Sequence, residues 1–231
     1  MKAILQASKF EFFKTDFNNS GIFEQLVAII EQGTGVNLDI RETAFNILSN
    51  LCRDSRENQK EFRRKKGIEM LKHNLAYSQV EQTGNASTFL LAVLDCLSST
   101  IFGNKRSESH FLDIEGVYVL LDLAEVCEDS LKRICLSSIC TILENAKSFQ
   151  YFVEWSSSKT TVNASQMLIK LYQDEDKRFG VTNDNGILQN VERPLNPNDS
   201  YFVRKNGGNL NPDGTVRSQM ESNQMPGSSS S

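Results

Sequence analysis

Three glycines, Gly21, Gly67 and Gly116, each open a short apolar run, and they stand 46 and 49 residues apart. Thirty residues after each glycine a longer apolar segment ends. The first carries Ile40, Ala44, Ile47, Leu48 and Leu51, the second Ala86, Leu90, Val93, Leu94 and Leu97, and the third Cys135, Ile139, Ile142, Leu143 and Ala146. The spacing i, i+4, i+7, i+8, i+11 is one face of an α-helix. One face repeated three times constrains the chain to a helical array, because a unit with so narrow an apolar face must stack on a neighbour to bury it. Two of the glycines follow an aromatic by five residues, Phe62 and Phe111. Each unit reads as a short helix, a glycine, a medium helix, a loop and a long helix. The glycine is expected to let the backbone turn sharply between the first two.

Proline supports the same reading and locates its limit. All four prolines (194, 197, 212 and 226) lie after Arg193, and proline inside a helix costs ~3 kcal/mol. From Asp174 the chain shifts to Asn, Gly, Pro and Ser, a composition with too little apolar surface to offset its ordering entropy. The expected architecture is all-α: an α-solenoid of about three repeats over residues 1–173, then a disordered tail over 174–231. The units fall near 21–66, 67–115 and 116–162, with a partial unit at 163–173, where Asn163 stands in for the glycine and Leu168, Leu171 and Tyr172 form its medium helix. Placing Gly21 on Gly67 puts residues 1–5 on 47–51, so the array is expected to be cut at both ends and to belong to a longer solenoid.

Several function classes lose support. Lys+Arg number 25 against Asp+Glu 29, giving a net charge of -4 and no global attraction to phosphate backbones or anionic lipid. The longest apolar run, 89–94, is far short of the ~20 residues that span a bilayer, and the first residues lack the apolar stretch of a signal peptide. Five cysteines (52, 96, 127, 135 and 140) form no C-x-x-C pair, and four sit in apolar helical patterns, as reduced core residues do. The two histidines, His73 and His110, fall in different repeats with no catalytic motif around them. Gly33-Thr34-Gly35 has no preceding strand and reads as a helix–helix connection. Cys135 and Cys140 lie on different sides of a helix with nothing to complete a metal site. No catalytic residue, metal or cofactor is expected.

The sharpest surface feature is the run Lys60-Glu61-Phe62-Arg63-Arg64-Lys65-Lys66. Lys60, Arg63, Arg64, Lys65 and Lys66 form a candidate protein-binding cluster for acidic tails, an acidic helix or an import receptor. Part of it has a simpler role, since cations at a helix C-terminus complement the dipole by ~0.3–1 kcal/mol. Nucleic acid is disfavoured because no base-stacking aromatics are interleaved. Glu125, Glu128 and Asp129 read as a solvated acidic loop.

The run Ile47-Leu48-Ser49-Asn50-Leu51, followed by Asn58-Gln59, Phe62 and Gly67-Ile68, resembles an armadillo repeat, as does Ile142-Leu143-Glu144-Asn145-Ala146. The resemblance implies a right-handed solenoid that binds proteins and performs no turnover. More narrowly, residues 50–67 and 102–155 resemble armadillo proteins associated with cilia and flagella. That likeness implies a cytoplasmic, axonemal or ciliary scaffold with protein partners, needed for assembly and stability of the motile sperm flagellum and present in chemosensory olfactory cilia. The alternative is an importin-like adaptor holding linear peptides. Such proteins carry a tryptophan–asparagine ladder on their long helices. Here the asparagine positions hold Asn50, Cys96 and Asn145, and the positions four earlier hold Asn46, Ala92 and Thr141. The only tryptophan, Trp155, lies outside the long helices. Asn46, Asn50 and Asn145 remain candidate groove residues, able to grip a peptide main chain or to tie their own helices to a neighbour. A single chemical stripe along the long helices would favour peptide binding, and mixed residues would favour packing against a protein surface.

Overall fold

The periodic segments are helices, and the computed structural model describes residues 1–76, 86–178, 183–184 and 187–188. The chain divides into two compact units, Met1–Ser165 and Gln166–Ser231. In the first, α1 (Lys2–Ala7) precedes three successive triplets of short, medium and long helix. These are α2 (Glu11–Asn19), α3 (Ile22–Glu31) and α4 (Leu38–Cys52); then α5 (Arg56–Arg64), α6 (Gly67–Leu75) and α7 (Ala86–Thr100); then α8 (Lys105–Asp113), α9 (Gly116–Val126) and α10 (Asp129–Leu143). A 3-10 turn, Ala146–Ser148, then leads into α11 (Phe149–Glu154). Like packs on like. Short helices α2 and α5 lie together, medium helices α3, α6 and α9 form a second row, and long helices α4, α7 and α10 a third, which α1 continues against α4. This is an all-α solenoid arrangement, as the periodicity required.

The predicted long-helix faces form the core. Ala44, Ile47, Leu48 and Leu51 of α4 are buried, as are Leu90, Val93, Leu94 and Leu97 of α7 and Cys135, Ile139 and Ile142 of α10. Phe45 and Phe89 meet edge-to-face across α4 and α7 with ring centroids 5.6 Å apart, and the Arg41 guanidinium caps the Phe89 ring at 4.9 Å. Three predicted positions depart from the face. Ile40 is 42% exposed in the first turn of α4, Leu143 is half-buried, and Ala146 lies beyond the end of α10. The cause in the third unit is its connection. Only Cys127 and Glu128 separate α9 from α10, so α10 begins and ends earlier after its glycine than α4 and α7 do. The shift is four residues relative to α4 and six relative to α7, between one and two helical turns, which preserves the buried face while moving the helix end.

Gly21 makes the turn expected of it, and Gly67 and Gly116 do not. The left-handed residue that ends each short helix is Gly21 (φ 73°) in the first unit, but Lys66 (φ 59°) and Glu115 (φ 60°) in the next two. Gly67 and Gly116 are instead the first residues of α6 and α9. There the rings of Phe62 and Phe111 come so close that a Cβ would sit 2.5 Å and 2.3 Å from ring carbons. Both phenylalanines are fully buried. Aromatic and glycine therefore form one packing device, and the turn belongs to the residue before the glycine.

Buried polar groups then fix one unit on the next. The last carbonyls of a helix have no partner within it, and the end of α4 is closed in by α2 and α5. Asn58 donates from Nδ2 to the Leu51 carbonyl at 2.7 Å and to that of Lys14 at 3.3 Å. Gln59 Nε2 donates to Cys52 O at 3.2 Å and to Ser99 O at 3.0 Å, while Lys14 Nζ donates to Arg53 O at 2.6 Å. Asn104, which caps α8, reaches back to Gln59 Oε1 at 2.9 Å. Four of the five cysteines, 52, 96, 127 and 135, are buried, Cys140 is exposed, and all are free thiols. Burial pushes the Cys52 and Cys96 thiols up, so both stay protonated at neutral pH.

The second unit contains most of α12 (Ala164–Arg178) and an antiparallel pair, β1 (Asn183–Asp184) and β2 (Ile187–Leu188), with Asn183 opposite Leu188. The helix runs past residue 173, where the array was expected to end. Ion pairs one turn apart, Asp174–Lys177 and Glu175–Arg178, support its last turn. The rest of the tail expected over 174–231 lies outside the described residues.

Three substitutions test this account by chemical denaturation. Gly67→Ala should cost about 1–3 kcal/mol because the Phe62 ring has nowhere to go, whereas Lys66→Gly, at the left-handed position, should be neutral or stabilising. Asn58→Ala should cost about 1–3 kcal/mol by stranding the Leu51 carbonyl. Equal effects of Gly67→Ala and Lys66→Gly would contradict the assignment of packing to one and turning to the other.

Candidate protein-binding surfaces

The basic run ends α5, and its cations are largely spoken for. Glu57 and Glu61 lie one turn before Lys60, Arg64 and Lys65 on the same helix, so local pairing follows from sequence spacing. Arg64 donates Nε and a terminal nitrogen to Glu61 at 2.9 and 2.8 Å, and these bonds hold its pKa above the ordinary arginine value. Lys65 pairs with Glu24 of α3 and stands 3.8 Å from Glu61. Lys60 is 4.0 Å from Glu57. Arg63 donates to the Ser107 hydroxyl of α8 at 3.2 Å, so it joins consecutive units. Lys66 is exposed in the left-handed turn and makes no ion pair with the described residues. The five candidates thus divide: Arg63 and Lys65 brace the array, Arg64 is held along its own helix, and Lys60 and Lys66 present their charge outward.

The three asparagines are not brought together. Asn46 and Asn50 lie one turn apart on α4, both half-buried. Asn50 donates to Ser8 Oγ at 3.1 Å, and Ser8 in turn donates to Leu5 O at 2.9 Å, which ties α4 to α1. Asn145 lies past the end of α10. Its Oδ1 accepts from the Lys147 amide at 3.2 Å and its Nδ2 is 3.4 Å from Glu108, so it caps the turn that follows. The α10 shift that moved Ala146 off the helix also removed Asn145 from any ladder. On the long helices the exposed residues are mixed: Asp39 and Ile40 on α4, Leu91 and Ser98 on α7, Arg133 and Ser137 on α10. Between α4 and α7 the surface is closed by a polar knot in which Arg53 meets Asp95 at 3.0 Å and Ser49 bonds both Asp95 and Ser99. No single chemical type runs along this row.

Clefts open on the surface of the described residues. One, of about 520 Å³, lies between α8 and the end of α10 and is lined by Lys105, Glu108, Thr141, Glu144, Asn145 and Lys147. Another, of about 410 Å³, includes Glu69, Lys72, His73 and Ile114. His110 sits 3.3 Å from Glu69, and His73 is exposed on a different helix. Neither histidine meets a nucleophile. Among the described residues no cluster of His, Cys, Asp and Glu has the makings of a metal site, and no helix is long and apolar enough to cross a membrane.

The acidic loop departs from expectation. Glu125 accepts from Ser157 Oγ at 2.7 and 2.8 Å and from Thr160 Oγ1 at 2.8 Å, so it anchors the segment after α11. Trp155, buried nearby, donates its indole N–H to Asp122 at 2.9 Å. The same Ser157 hydroxyl accepts from the amides of Lys159 and Thr160. Sequence reading passed over this knot because its partners are more than thirty residues apart. The available signals were the lone tryptophan and the hydroxyl-rich run 156–161. Glu125→Ala should leave the fold intact and speed amide exchange at Lys159 and Thr160 about tenfold, for the loss of roughly 1.4 kcal/mol of local protection. Unchanged exchange would show that Glu125 does not hold the segment.

Helical triplets stacked row on row, a ring-on-glycine contact at the short–medium junction, and polar side chains closing the long-helix end together define an armadillo-type repeat protein. A family model described as the ARM repeat of cilia- and flagella-associated protein 69 matches residues 1–202, and the chain belongs to that family. Cilia- and flagella-associated protein 69 of Homo sapiens is 28% identical over 196 residues, which cover 80% of this chain and 21% of that protein. The Papio anubis protein is likewise 28% identical and the Mus musculus protein 26%, over the same shares. The chain spans about a fifth of the length of the curated relatives it matches.

Proposed function

We propose that this chain is a non-enzymatic, protein-binding scaffold of cilia and flagella, serving assembly and stability of the motile sperm flagellum and present in olfactory cilia. The observation that carries the reading is family membership over residues 1–202, since the relatives bear the name cilia- and flagella-associated. The geometry supports the binding half of it. Apolar and polar groups are mixed along the exposed side of the long helices, which suits contact with a folded protein surface better than chemistry on a small substrate. An importin-like adaptor gains no such support. Asn50 is engaged by Ser8, Asn145 is off the helix, and an extended peptide finds no ladder of amides to hold it. Lys66 and Lys60 are the cations available to an acidic axonemal partner, because Lys66 makes no ion pair with the described residues and Lys60 meets only the exposed Glu57 at 4.0 Å, whereas Arg63, Arg64 and Lys65 hold closer partners of this chain.

Proximity labelling in ciliated cells tests both halves. The wild-type chain should label axonemal proteins. The double variant Lys60→Glu, Lys66→Glu should lose those neighbours severalfold at unchanged melting temperature, because neither lysine braces the array. Retention of the neighbours would move the contact to another face. Import receptors and nuclear cargo in place of axonemal proteins would overturn the ciliary reading.

A further inference from the structure

Along the medium helices one position recurs at each junction between units. Three residues after the left-handed residue that precedes the helix stand Glu24 of α3, Glu69 of α6 and Tyr118 of α9. Each meets the short helix of the following unit. Glu24 pairs with Lys65 of α5, and Glu69 stands 3.3 Å from His110 of α8, so in both places a carboxylate faces a basic side chain. The third junction is different. Tyr118 meets Tyr151 of α11 with ring centroids 5.8 Å apart and planes at 64°, and its hydroxyl donates to Glu154 at 3.2 Å. Neither α9 nor α11 carries a cation. Two cations stand at the margins: Lys72 of α6 is 4.0 Å from Glu115, and Lys159 acts on Asp122, which the Trp155 indole already holds. Glu154 makes no ion pair among the described residues.

Both rings are half-buried and Glu154 is exposed, so aromatic surface and an unpaired carboxylate reach solvent together. Burial, then Glu154 and Glu115, push the Tyr118 hydroxyl above the ordinary tyrosine pKa, which places both carboxylates beside the rings. Ring faces and carboxylates alike attract a cation and repel a phosphate or an acidic side chain. We infer that this junction seats the guanidinium of an arginine carried by a partner protein, laid on the Tyr118 and Tyr151 rings and forked onto Glu154. A flat guanidinium stacks on an aromatic ring and donates paired N–H groups to one carboxylate, which a compact, strongly hydrated ammonium does not. The arginine supplies what Lys65 and His110 supply at the earlier junctions, a basic group for an acid. This face belongs to the medium and short helices, so it is separate from the long-helix row and shares no residue with Lys60 and Lys66. It rests on the protein-binding reading only in taking the occupant to be a protein.

NMR titration of the full chain with a capped Gly-Gly-Arg-Gly-Gly peptide reads the site, with the tyrosine rings as reporters. The Tyr118 and Tyr151 ring signals, assigned by substituting each in turn, should shift with a dissociation constant on the order of 1 mM. The same peptide with lysine should bind about threefold more weakly or worse, and with glutamine the rings should not move. Glu154→Gln, at an exposed side chain whose described bond is to the Tyr118 hydroxyl, should weaken arginine binding about fivefold or more. Glu144→Gln, at an exposed acid just past α10, should leave it unchanged. Tyr151→Leu should weaken binding as Glu154→Gln does. Should that variant fail to fold by circular dichroism, Tyr118→Phe, which keeps the ring and frees Glu154, replaces it and should bind at least as tightly. Rings that do not move with the arginine peptide would overturn the inference. So would equal binding of the lysine or glutamine peptide, an unaffected Glu154→Gln, or equal losses at Glu144 and Glu154. Because the peptide reads this junction alone, failure would leave the ciliary reading and its lysine contact standing.

Discussion

The array depends on how the end of α4 is closed. A helix leaves its last carbonyls without partners, and at α4 those of the fully buried Leu51 and Cys52 are shut away by neighbouring helices, with that of Arg53 just beyond them. Each receives a donor from elsewhere, Asn58 and Gln59 from α5 and Lys14 from α2. Apolar packing such as Phe45 on Phe89 is tolerant of small slides, whereas a buried carbonyl accepts a donor in only a narrow range of positions. The apolar rows hold the units together, and these bonds set their register. Gln59 extends the constraint to the next unit by bonding Ser99 of α7 and accepting from Asn104 of α8, so one polar chain runs through consecutive units.

That division of labour explains what could be read from the sequence. Helix faces were legible because the core positions repeat at helical spacing, and a face survives a slide of four to six residues, as α10 shows. Helix ends were not legible for the same reason. Apolar residues three and four apart mark a face wherever its helix starts or stops, and the two-residue link between α9 and α10 carries no periodic signal. The three glycines were found, and two of them, Gly67 and Gly116, were misassigned. Sequence shows that Gly67 and Gly116 are needed without saying whether backbone angle or close approach is the cause, and the buried Phe62 and Phe111 rings decide for close approach. The left-handed angle falls on Lys66 and Glu115, residues with no turn preference to betray them.

The candidate site divides along a similar line. A run of cations is visible in sequence, and so are Glu57 and Glu61 one turn away. Glu24, which takes Lys65, is forty-one residues earlier and becomes a neighbour only when α3 packs on α6. The same holds for Ser107 and Arg63, and for Glu125 with Ser157 and Thr160. Charge patches read from one dimension overstate what reaches solvent, because repeat stacking brings acids from adjacent units onto cations that look unpaired in the chain.

Repeat equivalence restores some of that lost information. Once caps are aligned, a residue can be compared with its counterparts in other units, whose surroundings differ only in whether a neighbour is present. Asn58 and Ser107 are sealed and polar, each bonded to the unit before it, whereas Phe13 in the same place on α2 is 40% exposed. The counterparts also show that a sealed place takes either chemistry: Arg63 bonds Ser107, while Leu112, in the same place on α8, is buried and apolar. The bond confines the register of its junction to a narrow range of positions, and the apolar contact supplies attraction that tolerates a small slide.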